Sequence, residues 1–556
     1  HSLTKAQWDS VTAFVQKHVT DSVITNAVKK LPPEMFKKTG EQLISILKIR
    51  RDNLNEISEE FYLQVIKYVD IHLSNKDELA EIDRLNDKEV EVKVYDLDKN
   101  KIPKSELFYN RTFNSDETSE IRLIMYDGDD KAIINGNVDE SIKLLVAGDK
   151  GKDTLIDSSL VKGYFLSFLP IPDAEEKTIF LDQGDKTVFV TGSSTTIWQE
   201  KYERDTNDIE IPRDWGHDWR FIPWFNFNPD DGLFVGGGAV LYEFGFRRRP
   251  YVYRMELTGG YAIHAKRFRL RYTAEYNPPI RDITFLLDVK TSGLEVLNFY
   301  GFGNETAYND SLKEEDFYKV KQQQVYVHPS VKYFINRNST ISFGTQLKYT
   351  DTDDGEYLFQ VNPFGADNSL LLSINADYLF DSRQSKDFPT SGYSFFLSGS
   401  IYPPLKKENS VFGKINSEAR GYFSVPQIRL SALALRIGGE KIWGRFPFFE
   451  SAFIGGESVL RGYDRNRFAG DASIYGNLEL RFFLFQTKIL VPAYFGITAL
   501  GDAGRVFYSD EKSEKIRNSY GGGLWMSFVK PEYLFTLYYA RSSEDSGFYF
   551  NIGFPF

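Results

Sequence analysis

The chain of 556 residues carries 67 Lys and Arg against 78 Asp and Glu, a formal net charge of −11, and this acidic balance works against nucleic-acid binding by bulk electrostatics. Cysteine is absent, which removes disulfide frameworks, thiolate metal sites and cysteine nucleophiles together. No apolar run approaches the ~18 residues a spanning helix needs, so a membrane helix is excluded, whereas a transmembrane β-barrel is not, because its lipid-facing residues alternate with polar ones.

Residues 1–85 read as helical. Trp8, Val11, Phe14, Val15 and His18 recur at helix spacing, Pro32 and Pro33 interrupt, and the stretch from Lys37 to His72 is rich in Leu, Ile, Lys and Glu. Residues 86–185 switch to short alternating runs, such as Val90-Glu91-Val92-Lys93-Val94-Tyr95 and Ile121-Arg122-Leu123-Ile124-Met125, and read as a β-rich domain. Residues 186–230 read as a connector holding Trp198, Trp215, Trp219 and Trp224. No charged-then-apolar leader precedes this region, so His1 is expected to open a mature or trimmed chain.

From 231 to 556 the pattern is nearly uniform. Tyr253, Met255, Leu257, Gly259, Tyr261 and Ile263 share one face while Arg254, Glu256, Thr258 and Gly260 share the other, and the next segment repeats the scheme. Alternation sustained over ~10 residues and heavy in Tyr and Phe is the signature of a membrane barrel rather than of a sandwich with shorter strands. Of the 86 aromatic residues, 71 lie beyond residue 185, as lipid-facing strands and interfacial girdles require. Sixteen strands are predicted, the first at 232–246, a pair at 282–291 and 294–303, the eleventh at 429–444 and the last at 547–556. The expected fold is therefore a membrane all-β protein: a 16-stranded antiparallel transmembrane β-barrel with a loop folded inward after strand 11, preceded by a small α then β region.

The longest loop reads RFPFFESAFIGGESVLRGYDRNRFAGD over 445–471. Gly455-Gly456 allows a tight turn, and Leu460-Arg461-Gly462-Tyr463 follows. Strand 12 contains Gly476-Asn477-Leu478-Glu479-Leu480-Arg481, strand 13 contains Gly501-Asp502-Ala503-Gly504, and the connection Ser382-Arg383 through Phe388-Pro389-Thr390-Ser391-Gly392 precedes strand 9. On these motifs residues 231–556 resemble the outer-membrane assembly and two-partner-secretion transporter superfamily, the BamA, TamA and FhaC relatives also called bacterial surface antigens. The resemblance implies that the loop after the eleventh strand folds into the barrel with a V-R-G-F or V-R-G-Y tip, here with Leu460 for valine. It also implies that inward-facing acids hold the loop arginine, and Phe556 matches the aromatic recognition signal that ends such barrels.

The chemistry fits the spacing, since an arginine lowered into a lumen needs carboxylates and a planar guanidinium can bind two oxygens at once. Asp502 is the expected main partner of Arg461 and Glu479 the second. Gly236, Gly237 and Gly238 in the predicted first strand and Gly553 before Pro555 in the last suggest a poorly paired closing seam, which in the family is thought to open sideways. No POTRA order is legible in residues 1–185. The helix-then-strand region followed by a barrel also resembles the end of Bacteroidota-type surface antigens in which a metallophosphoesterase region precedes the barrel. Gly148 to Asp153 approximates the G-G-x-G-x-D calcium repeat, with Gly128-Asp129-Asp130 a degenerate copy; Asp130, Gly151 and Asp153 are either solvated turn residues or calcium ligands. Nucleophile elbow, H-E-x-x-H and Walker loop are all missing, and no enzymatic activity is expected of this chain.

Two functions are expected to compete. The first is an outer-membrane barrel that inserts or translocates polypeptides through the seam between strands 1 and 16, with unfolded outer-membrane or secreted clients, lipid and accessory lipoproteins as partners. The second is a barrel that anchors a periplasmic domain, with an upstream metallophosphoesterase as the candidate cargo. Either way residues 1 to about 230 are expected in the periplasm.

Overall fold

The computed structural model describes residues 3–162, 177–182, 186–198, 213–228, 232–248, 250–263, 266–278, 282–405, 410–425, 428 and 430–556. The chain divides into two compact units, His1–Ile211 and Pro212–Phe556.

In the first unit Thr4 caps the helix Lys5–His18 in a reciprocal capping box with Gln7, Thr20 caps Asp21–Val28, and Pro33 sits in the first turn of a helical run that continues to Asp52 through a π segment, Phe36–Gly40. The last helix is Leu54–Ile66. Helical structure thus stops at Ile66, not near 85: Tyr68–His72 and Glu78–Arg84 are strands. Five to seven residues of alternation beside a helix are too few to show their period, and each strand has a parallel partner 52 residues downstream, Tyr68 with Glu120 and Leu79 with Lys131, so pairing rather than local pattern decides their state.

Those strands open a parallel solenoid. Tyr68–His72, Glu120–Ile124, Lys143–Gly151, Thr178–Asp182 and Thr195–Trp198 stack in one parallel sheet; Glu78–Arg84, Lys131–Asn135, Thr154–Asp157 and Val188–Val190 stack in the other. The antiparallel strands Glu89–Leu97 and Pro103–Asn114 extend the second sheet. A single core between the sheets includes Val69, Ile82, Ile121, Ile134, Val146 and Leu155. Gly128 pairs with Gly151 and Lys131 with Thr154, each 23 residues apart, so the two imperfect glycine-aspartate copies are successive rungs. The connector reading of 186–230 is also corrected, because its start supplies solenoid strands and its end supplies a barrel strand; residues 199–212 lie outside the described residues.

The second unit is a closed barrel of sixteen antiparallel strands. Strand 1 is His217–Asn228, strand 2 Gly232–Glu243, strand 3 Tyr253–Ala262, strand 4 Arg267–Tyr276, strand 5 Ile283–Asn298 and strand 6 Lys319–Asn336. Strands 7 to 11 are Ser339–Asp354, Ser369–Asp381, Gly392–Tyr402, Phe412–Ser424 and Ala432–Trp443; strands 12 to 16 are Ala472–Ile489, Val491–Phe507, Arg517–Phe528, Leu534–Ser542 and Ser546–Ile552. The strand count agrees with expectation through two offsetting corrections. The true first strand was hidden in the tryptophan-rich segment, where Pro223 argues against a strand interior, and 282–303 is one strand whose register shift after Ser292 interrupts the alternation. Among the described residues no helix is long and apolar enough to cross a membrane.

Both corrections relocate the seam. Gly236, Gly237 and Gly238 belong to strand 2 and pair with Gly260, Gly259 and Thr258 of strand 3, so they do not close the barrel. Closure is between strands 1 and 16, and among the described residues it rests on one couple, Phe227 with Phe550, whereas strands 15 and 16 pair over seven. The final strand also ends early. Phe548, Phe550 and Ile552 are exposed on the lipid-facing side while Phe556 is buried, because Gly553 at φ 95° turns the chain inward; Phe554 and Phe556 therefore leave the face that unbroken alternation over 547–556 predicts for them.

Candidate functional site: the ion-paired loop tip in the barrel

Strands 11 and 12 are joined by a segment that carries its own small hairpin, Ala452–Ile454 with Phe468–Gly470. The tip between those strands turns at Gly455 and Gly456, and Ile454, Leu460, Tyr463 and Phe468 pack with Val506 of strand 13. Anchoring of this kind presents Arg461 to the barrel wall with only 1% of its surface exposed.

Arg461 is fully engaged. Its Nε and Nη2 donate to the two carboxylate oxygens of Asp502 at 2.8 and 2.7 Å, its backbone N–H donates to Asp502 Oδ2 at 3.1 Å, and Nη1 donates to Glu479 Oε1. The guanidinium also lies over the Tyr538 ring at 5.6 Å. Glu479 accepts at its other oxygen from Arg481 Nε and Nη2 at 2.9 and 2.7 Å. Alternation makes this possible: Asn477, Glu479 and Arg481 share one face of strand 12, and Asn477 pairs across the ladder with Asp502. Two carboxylates between two guanidiniums leave little net charge in the buried site, the condition under which buried ions are tolerated.

Several contributing residues were not singled out from sequence. Asn477 bridges, donating to both Asp502 Oδ1 and the Val459 carbonyl at 2.8 Å, and Arg436 of strand 11 donates to Asn477 Oδ1 at 2.9 Å and to the Ser458 carbonyl. The Gly462 N–H donates to the Tyr549 hydroxyl of strand 16 at 2.9 Å, and Ser542 of strand 15 donates to the Gly462 carbonyl at 2.7 Å. The Tyr463 hydroxyl, in turn, donates to the Asn518 carbonyl of strand 14 at 3.3 Å. The tip therefore touches strands 12 to 16, including the seam strand. A second buried arginine, Arg467, donates to Glu544 at 2.7 Å and to the Thr306 carbonyl at 2.6 Å and lies against the adjacent rings of Tyr300 and Tyr308 at 4.7 and 4.8 Å. Arg467 follows the expected tip by four residues, and only its density of basic and aromatic neighbours hinted at it.

Gly462 has φ 82°, and a Cβ there would meet the Arg541 carbonyl carbon and the Ser542 nitrogen at 2.9 Å. Gly462→Ala is expected to weaken tip docking by about 1–3 kcal/mol, read as faster protease cleavage within 445–471 with the barrel still folded.

The calcium candidates are in the other unit. Asp130 and Asp153 are each 1% exposed, not solvated as one reading had them. Asp130 Oδ1 accepts from the Glu78 N–H at 2.7 Å and Asp153 Oδ1 from the Asp130 N–H at 3.0 Å, so the acids form a ladder along the stacked rungs with Gly151 packed against Gly128. Among the described residues no three or more His, Asp or Glu side chains are placed to hold a metal ion. Burial is the main cause that raises Asp130 to about 8 and Asp153 to about 7, with Glu78 and Asp182 among the acids that add to it.

A closed sixteen-stranded barrel whose inward loop is ion-paired to strands 12 and 13 defines the class: an outer-membrane transporter-type barrel. The Omp85 superfamily domain matches residues 240–556, more than half of the chain, and the chain belongs to the Omp85 superfamily. Solved structures with a similar fold include BamA from Haemophilus ducreyi lacking POTRA domains 1–3, at 14% identity over 66% of this chain and 72% of that one with a TM-score of 0.44. CdiB from Acinetobacter baumannii is similar at 11% identity over 61% and 66%, TM-score 0.35. A bacterial polysaccharide outer-membrane secretin is similar at 11% identity over 61% and 96%, TM-score 0.32. Barrels of the superfamily sit in the bacterial outer membrane with a general role in protein insertion or secretion, and they are transporters or insertases rather than enzymes.

Proposed function

We propose that this barrel inserts or translocates polypeptides by parting its seam between strands 1 and 16, with the Arg461 tip holding the conformation that accepts a client. The observation that carries the reading is the contrast between a seam of one ladder couple among the described residues and a tip fixed by four donations from Arg461 to two buried acids. A wall that is rigid around strands 12 and 13 and weakly zipped at strands 1 and 16 will part at the seam first, exposing unpaired N–H and C=O groups that suit an incoming extended chain. Pro223 in strand 1 cannot donate to that ladder. Clients are unfolded outer-membrane or secreted polypeptides, with lipid at the open edge and accessory lipoproteins as further partners, and the first unit lies in the periplasm.

A second reading, a barrel that anchors a periplasmic domain, is favoured by the first unit, whose parallel solenoid differs from the β-α-α-β-β order of a client-handling POTRA. Depletion separates the two. Loss of many outer-membrane barrels supports insertion, whereas unchanged barrel content with loss of one hydrolytic activity supports anchoring.

A further inference from the structure

Beyond Gly553 the chain does not continue along the barrel wall. The Gly553 N–H donates to the Leu534 carbonyl at 2.8 Å and the Thr536 hydroxyl donates to the Gly553 carbonyl at 2.9 Å, which closes the last rung. Phe554 then lies on the Arg481 guanidinium at 3.8 Å and packs with Phe388 and Trp525. Phe556, 4% exposed, packs with Tyr422 and Ala434 on strands 10 and 11. Its ring faces Arg436 at 4.7 Å, and its backbone oxygen accepts from Arg481 Nη2 at 2.6 Å.

Residues 553–556 therefore run from strand 16, one side of the seam, across to the strand 10–12 wall. That wall is where the loop arginine is held. Arg481 is shared between the two: the same Nη2 reaches the Phe556 oxygen and Glu479 Oε2, while Glu479 Oε1 holds Arg461. Tyr549, on strand 16 itself, accepts from the loop tip.

We propose that residues 553–556 are a latch that holds strand 16 closed, with Arg481 as the positioning residue that couples the latch to the loop tip through Glu479. The inference rests on the seam reading above. A seam with one couple among the described residues is short of restraint, and two aromatic rings stacked on guanidiniums with a charge-assisted hydrogen bond supply it. Opening then requires Phe556 to leave Arg481, which changes the pairing of Glu479 and so of Arg461.

The test uses the full chain in membranes. Phe227→Cys with Phe550→Cys places a unique thiol pair across the seam, and the linked fraction under mild oxidant reports closure without reading client insertion. Arg481→Met is expected to lower the linked-to-unlinked ratio about tenfold, the size of one lost hydrogen bond to a charged group. Arg481→Lys keeps charge beside Glu479 without the planar fork and is expected to fail to restore closure, while the heat-dependent gel mobility of a folded barrel is unchanged. Phe556→Ala leaves every ion pair intact, carries the same expectation, and should also hasten proteolysis within 445–471. Folded variants with an unchanged linked fraction overturn the latch and leave the seam reading standing. A locked seam that remains active would instead remove the seam reading, with the linked fractions of the latch variants unaffected.

Discussion

Arg461→Ala is expected to undock the loop tip and abolish most activity. Removing one partner of a buried ion pair costs about 3–5 kcal/mol, because the other charge is left buried and uncompensated. Here the burden falls on Asp502, which loses both guanidinium donors and keeps only the neutral Asn477 amide and the residue 461 backbone N–H among the described residues, whereas Glu479 keeps Arg481. Asp502→Ala should therefore resemble Arg461→Ala, and Glu479→Gln should be milder. Reversing both charges, Arg461→Asp with Asp502→Arg, is expected to restore docking in part. Protease cleavage within 445–471 and outer-membrane protein content of cells carrying each variant check the series. Wild-type behaviour of both single variants would refute the pairing as a functional element.

The second large effect concerns the solenoid. Asp130 and Asp153 hold protons up to about 8 and 7 because burial disfavours their charged forms, and Oδ2 of each lacks a hydrogen-bond partner among the described residues. Each group's folded pKa lies above its unfolded value, so the folded state binds more protons between about 4 and 8. Stability of this unit is then complete below about 4 and declines as pH rises through 7 to 8, by an amount on the order of a few kcal/mol. Asp130→Asn keeps an oxygen for the Glu78 N–H and removes the ionisation, so it should flatten the profile and stabilise the unit above pH 8. Hydrogen-exchange protection of residues 120–157, corrected for intrinsic exchange, reads both effects. Protection that rises with pH in the wild-type chain would contradict the ladder's protonation.

What could be read from sequence follows from range. Alternation along strands 3 and 4 and along strand 12 is local, and it puts Glu479 on the inward face, whereas the inward position of Asp502 is what the family resemblance implies. The loop position was equally legible, since both strand corrections fall before strand 6 and leave the Arg461 loop after strand 11. Strand 1 was not legible because Pro223 and the dense aromatics of 215–225 obscure a period of two. Asn477, Arg436 and Tyr549 carry no local mark of their roles: each acts through a partner 18 to 87 residues away. Phe554 and Phe556 continue the alternation of strand 16 faithfully, and one positive φ at Gly553 redirects both rings into the barrel. The solenoid shows the same limit, because its 23-residue repeat is interrupted by the hairpin 89–114 between its first two rungs.

Opening of the seam between strands 1 and 16 is tested most directly by locking it. With no native cysteine, Phe227→Cys and Phe550→Cys form the one thiol pair in the chain, placed directly opposite each other in the ladder. Client insertion should be lost when the pair is oxidised and regained on reduction, with each single variant active throughout. Full activity with the seam covalently locked would contradict lateral opening.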